Sequence, residues 1–248
     1  MRLKPRASFF FIVGGVALIV GELLHPEPPS DPAAFLGMVA ASEHWVLCHF
    51  VQAAGALLLT LGLVDRGISG AAGSSSRLRM FAIAGLALAV GGLAMDGAGF
   101  KNIANAWSAA PRPQALMLAA AFQENRLLQH AMMDAAAVLL FGFSPLLAGI
   151  AISQRRGGKL VGRAGVAVGA VAIALGAGVL LQAPLPPLPW YRLIALAVAA
   201  WSIWTGVVLW RRPYPGEHDD HTRHFDAPPF SGQFPSPHRR SPLDISKL

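Results

Sequence analysis

Apolar residues fall into six long blocks separated by shorter polar intervals. The blocks run approximately Ala7–Leu24, Trp45–Val64, Met80–Phe100, Leu127–Ile152, Leu160–Leu181 and Trp190–Trp210. A helix needs about 20 apolar residues to cross a hydrocarbon core roughly 30 Å thick, and each block supplies them. None alternates with a period of two over about ten residues, as a membrane barrel strand would. The pattern therefore predicts an all-α integral membrane protein with six transmembrane helices. The first block starts basic and is apolar in the middle, as a signal peptide is, but no small-x-small cleavage pattern follows Glu22. It is read as an uncleaved first helix.

The intervals carry their own pattern. His25–His44 contains Pro26, Pro28, Pro29 and Pro32 and then the short apolar run Ala33–Ala41, which predicts an interfacial helical turn or two. Between Lys101 and Arg126, apolar residues such as Trp107, Leu116 and Phe122 interleave with Asn102, Asn105, Gln114 and Glu124. That stretch is too polar to span and is expected on the outer surface, broken at Pro111 and Pro113. In the fifth helix Gly165 and Gly169 have the small-xxx-small spacing that lets backbones approach, read here as intramolecular packing. Pro145 lacks a backbone donor, so a kink is expected in the fourth helix, with Ser144 filling a freed group.

After Arg212 the composition changes. Residues 213–248 contain seven prolines, few aliphatic residues and mixed charge, and such a segment buries too little apolar surface to offset ordering. Two parts are therefore expected: a six-helix transmembrane domain over 1–212 and a cytoplasmic tail over 213–248, disordered alone and available to dock on a membrane-complex partner. His218, Asp219, Asp220, His221 and His224 in that tail lack a rigid frame and read as solvated residues.

Composition excludes a soluble enzyme. Only 33 of 248 residues are Asp, Glu, Lys or Arg, against about 62 in a soluble domain of this length. The net charge of +7 and pI near 10.5 would suggest nucleic acid in a soluble protein. Here the basic residues segregate by side instead. Arg2, Lys4, Arg6, Arg66, Arg77, Arg79, Arg155, Arg156, Lys159, Arg163, Arg211 and Arg212 fall on one side, and Lys101, Arg112, Arg126 and Arg192 on the other, a split of 12 to 4. By the positive-inside rule both termini are cytoplasmic, in a bacterial-type inner membrane. The even number of helices demands the same, and no nucleic-acid partner is needed to explain the charge.

The acids and histidines segregate the other way. Outside the tail, Asp65 alone faces the cytoplasm. Glu22, His25, Glu27, Asp31, Glu43, His44, His49, Asp96, Glu124, His130 and Asp134 all lie in the outer half. The positive-inside rule says little about these types, so a second cause is required. His25, His44, Glu27, Asp31 and Glu43 need be no more than wetted caps at helix ends. Glu22, His49, Gln52, Asp96, His130 and Asp134 lie within helices, where a charged group costs up to about 3 kcal/mol and is normally turned inward and paired.

Spacing then suggests chemistry. His130 and Asp134 are four apart, so the carboxylate can hold the imidazole in one tautomer. Trp45, His49 and Gln52 form one stripe of the second helix, and His44, Cys48 and Gln52 the neighbouring one. His49 and His130 are expected at similar depth and could ligate one haem iron. His44, Cys48, His49 and His130, with Met132 or Met133, offer imidazole and sulfur donors for copper, and histidine with Glu22 or Asp96 suits zinc, which with a carboxylate base could hydrolyse a lipid or activate water. Glu22, Asp96, His130 and Asp134 could instead line the proton path of a small transporter. A purely structural polar network, in an accessory subunit of a larger complex, is the remaining alternative. Cys48 is the only cysteine, and no phosphate loop, nucleophile elbow, His-Glu-x-x-His or zinc-finger spacing is present.

Overall fold

The computed structural model describes residues 6–65, 74–155, 157–181 and 190–211, all within one compact unit. Among them every element is helical: α1 Arg6–Leu24, α2 Pro32–Ala41, α3 Trp45–Val64, α4 Ser74–Ala94, α5 Phe100–Ala109, α6 Arg112–Val138, α7 Ser144–Ser153, α8 Lys159–Leu180 and α9 Trp190–Arg211. Two π-helical segments, Met95–Gly99 and Leu139–Phe143, join α4 to α5 and α6 to α7 without a break. The tail over 213–248, with its histidines, lies outside the described residues.

Six helical runs are long and apolar enough to cross a membrane. The spans read from the apolar blocks are recovered, with one extension. The third and fourth runs are 34 and 42 residues long, or about 51 and 63 Å at 1.5 Å per residue. Their excess is the stretch Lys101–Arg126. It is the tip of a helical hairpin, because nothing between Phe100 and Ala109 interrupts the helix. The break falls where the prolines place it. Pro111 is extended, at φ −63° and ψ 154°, and Pro113 sits in the first turn of α6, where its missing donor costs nothing.

Neighbours in the bundle are neighbours in sequence. α1 packs on α3, α3 on α4, α4 on α6, α6 on α8, α8 on α9, and α9 returns to α1. Absent side chains let the backbones close in. A Cβ on Gly14 would lie 2.8 Å from the Leu59 nitrogen, and one on Gly162 2.5 Å from the Ser153 nitrogen. Gly165 and Gly169 make contacts of the same kind, with the Trp201 ring and the Gly142 carbonyl. The small-residue spacing of α8 thus serves internal packing. At Pro145 the chain has just passed a π-helical segment, and the Ser144 hydroxyl donates to the Leu139 carbonyl at 2.8 Å.

The end of the bundle away from the N terminus carries a cap. Ten residues of α2 exceed the expected turn or two. Asp31 Oδ2 accepts from the Ala34 amide at 2.7 Å, and Pro32 occupies the first helical position. At the other end of α2, the Lys101 ammonium donates to the carbonyls of Val39, Ala40 and Ser42 at 3.0, 2.9 and 2.7 Å. A cation at a helix C terminus answers both the orphan carbonyls and the dipole. Phe35, Leu36, Val39, Trp45, Phe100, Ala104 and Phe122 form the cap's own core, separate from the core of the bundle.

Candidate metal centre

Trp45, the first residue of α3, organises the region beneath the cap. Its ring is fully buried and packs on Phe35, His25 and His49, with centroids 5.7, 5.1 and 4.9 Å away. Its indole N–H donates to the Asp96 carbonyl at 2.7 Å. One turn on, the His49 Nδ1–H donates to the Trp45 carbonyl at 2.6 Å. That bond commits Nδ1 to the backbone, so in the neutral imidazole Nε2 carries the lone pair that a metal would take.

Asp96 approaches from α4 because the helix widens there. It is the second residue of the π-helical segment Met95–Gly99, and such bulges turn side chains off the regular helical spacing. The neighbouring Gly97 permits the contact: a Cβ on it would lie 2.9 Å from His49 Cβ. Asp96 Oδ2 stands 3.3 Å from His49 Nε2, at ion-pair distance, and among the described residues the imidazole nitrogen has no partner in hydrogen-bond geometry. Gln129 of α6 donates its side-chain amide to the same oxygen at 3.3 Å, and buried Oδ1 has no partner.

His25 completes the group from just beyond α1. Its Nδ1–H donates to the Pro26 carbonyl at 2.7 Å, and its ring lies 5.0 Å from that of His49. Burial holds its pKa below the usual histidine value, which favours the neutral form. His25, His49 and Asp96 each offer a ligand atom, and the three atoms lie within 4.8 Å of one another. Two imidazoles with one carboxylate are a donor set for zinc or another divalent transition metal.

The group opens on a cavity of about 390 Å³. Glu22 and Gln52 form part of its wall. The Gln52 amide donates to Glu22 Oε1 at 2.9 Å, Arg192 donates to the Glu22 carbonyl at 2.9 Å, and Arg192 Nε lies 3.8 Å from Glu22 Oε2. Gly21 makes room, since a Cβ there would lie 2.4 Å from Gln52 Cγ.

Of the residues singled out from sequence, Glu22, His49, Gln52, Asp96 and His130 meet at this cavity. Asp134 is absent from its wall; it is buried, with Oδ1 unpartnered, and makes no hydrogen bond to His130 among the described residues. Cys48 donates its thiol to the Trp45 carbonyl at 3.0 Å and lies 3.3 Å from His49 Nδ1, outside the ligand group. Exposed His44 caps α3 without a side-chain hydrogen bond. His25, which the sequence pattern sets among the solvated caps, is a member, and Gln129 and Arg192 join without any signal in their own segments. The clue for Trp45 is its four-residue offset from His49. For a haem, Asp96 Oδ2 crowds the His49 nitrogen that would have to meet the iron of a flat porphyrin.

Fold and site together define a class: a helical chain with, among the described residues, six runs long and apolar enough to cross a membrane and a His/Asp cluster at one end of the bundle. No protein-family model matches the chain, and no curated protein or solved structure shows significant similarity to it.

Proposed function

We propose that this is a multi-pass protein of a bacterial-type inner membrane, with both termini cytoplasmic, that binds one divalent transition metal at His25, His49 and Asp96 in its extracytoplasmic half. Zinc is the ion the donors suit best. The observation that carries the reading is the convergence of one donor atom each from His25, His49 and Asp96 within 4.8 Å of one another, with His49 Nε2 and Asp96 Oδ2, an ion pair in the absence of metal, 3.3 Å apart. Two ligands of one tetrahedral zinc, each about 2.0–2.2 Å from the ion, lie roughly 3.3–3.5 Å apart. Both histidines donate Nδ1–H to a backbone carbonyl, the support that metal-bound imidazoles usually have. Three protein ligands leave a fourth position open, as catalytic and exchangeable zinc sites do.

The test is elemental analysis of purified full-length protein after zinc loading and removal of excess ion. About one zinc per chain is expected. His49→Ala and Asp96→Asn should each lower affinity by more than the roughly 10–100-fold that loss of a ligand-orienting residue costs. His130→Ala should keep the zinc. Failure of the wild type to retain stoichiometric metal, or retention by both ligand variants, sinks the reading.

A further inference from the structure

With a divalent ion on His25, His49 and Asp96, the cavity beside them would hold more positive charge and more free donors than its own walls answer. Glu22 is spoken for by Gln52 and Arg192. A divalent ion on His25, His49 and Asp96 would be offset by a single carboxylate, leaving one positive charge at the ligands. Arg126 of α6 adds another. It lines the same cavity, and among the described residues it has no ion pair with a carboxylate. Its guanidinium carbon lies 5.0 Å from the centroid of the Phe35 ring. Phe35 is itself buried between Trp45 and Phe122, with ring centroids 5.7 and 5.2 Å away, so the cation rests on a fixed aromatic platform. Tyr191 also lines the cavity, and its buried hydroxyl has no hydrogen-bond partner among the described residues. Glu27, the remaining carboxylate on the wall, is exposed at the water side.

Uncompensated charge is costly in a part-buried site, and orphaned donors cost more. We propose that the cavity takes an anionic oxygen ligand, a carboxylate or phosphate group, which fills the open metal position and pairs with Arg126. The inference rests on the metal-binding reading above. An Arg fork and a metal with a vacant position are complementary to a group bearing two or more oxygens on one centre, and Tyr191 supplies a further donor. Leu93, Phe100, Met133 and Trp190 give the cavity an apolar wall. The anion can therefore come from water or as the head of an amphiphile whose hydrocarbon part lies against that wall.

Cobalt(II) in place of zinc makes binding visible, because its d–d absorption responds to the ligand in the fourth position. Full-length protein in neutral detergent, loaded with cobalt, is titrated with inorganic phosphate and with decyl phosphate. A saturable spectral change is expected in the wild type. Arg126→Gln should weaken anion binding at least tenfold with cobalt content unchanged, Arg126→Lys should fall between, and Tyr191→Phe should have a smaller effect. Similar affinity for the two phosphates identifies an aqueous ligand; decyl phosphate bound ten or more times tighter identifies an amphiphile. The proposal is overturned if cobalt binds and neither phosphate produces a saturable change, or if Arg126→Gln binds as tightly as the wild type. Absence of cobalt binding is a different result, one that overturns the metal reading itself.

Discussion

The two ends of the bundle are built by different means. Toward the N terminus, helices meet through absent side chains: Gly14 against Leu59, Gly149 against Gly162 and Val166, and Gly206 against Ser8 and Ile12. The core between them is mainly alanine, leucine and valine, with Phe11, Phe141 and Trp201 as its large members. At the far end glycines such as Gly21 and Gly97 admit large and polar side chains, and these make the contacts between helices. Trp45 joins three helical segments with one ring, Lys101 ties α5 to the end of α2, and Gln129, Asp96 and His49 link α6, the π-helical segment Met95–Gly99 and α3. Close backbone packing gives a rigid frame at little cost in polar burial. Side-chain bridging leaves room for a cavity and aims donors into it.

Substitutions at each end should therefore fail differently. The largest effect on stability is expected from Gly162→Leu, where even a Cβ would come within 2.5 Å of the Ser153 nitrogen and 2.6 Å of the Gly149 carbonyl. Overpacking against backbone that cannot give should cost at least about 1–3 kcal/mol, read as lower thermal stability in detergent, while protein that remains folded keeps its zinc. The reverse pattern is expected for Trp45→Phe. It keeps most of the packing but loses the N–H bond to the Asp96 carbonyl, so zinc affinity should fall roughly 10–100-fold with a smaller change in stability. The smallest effect belongs to Lys101→Met, which keeps the aliphatic stem and removes the cation from the α2 C terminus. About 1 kcal/mol of local stability should be lost, seen as faster amide exchange in α2 with zinc content preserved. If Gly162→Leu empties the metal site in folded protein, or Trp45→Phe leaves affinity intact, the two ends are not independent and the comparison breaks.

Much of the frame is legible in the chain because hydrophobic length is a one-dimensional property. Helices α1, α3, α8 and α9 begin and end within a residue or two of the apolar blocks. The hairpin tip over Lys101–Arg126 is harder to read. Its polar residues rule out a span, but helical continuity depends only on the lack of a breaker, and α2, α5 and α6 become stable together through the Phe35, Phe100 and Phe122 cluster. At the site, His49 and Asp96 stand out because ionisable residues inside apolar segments are costly and demand partners. Their partner His25 does not stand out. It sits past the end of α1 among prolines, and nothing local separates a ligand there from a wetted cap.

Sequence alone determines six apolar helices, an asymmetric distribution of basic residues and a gathering of acids and histidines toward one end. These depend on composition and on position along single segments. Which of those residues meet is a different kind of fact. His130 and Asp134 share a helical spacing yet make no hydrogen bond to each other, while His25, His49 and Asp96 converge from three segments 24 to 71 residues apart. The convergence requires a widened turn at Met95–Gly99, a glycine at position 97 and the approach of α1 to α3 at Gly21. Each is a relation between helices, set by packing and hydrogen bonding across the bundle, so only the tertiary structure decides it.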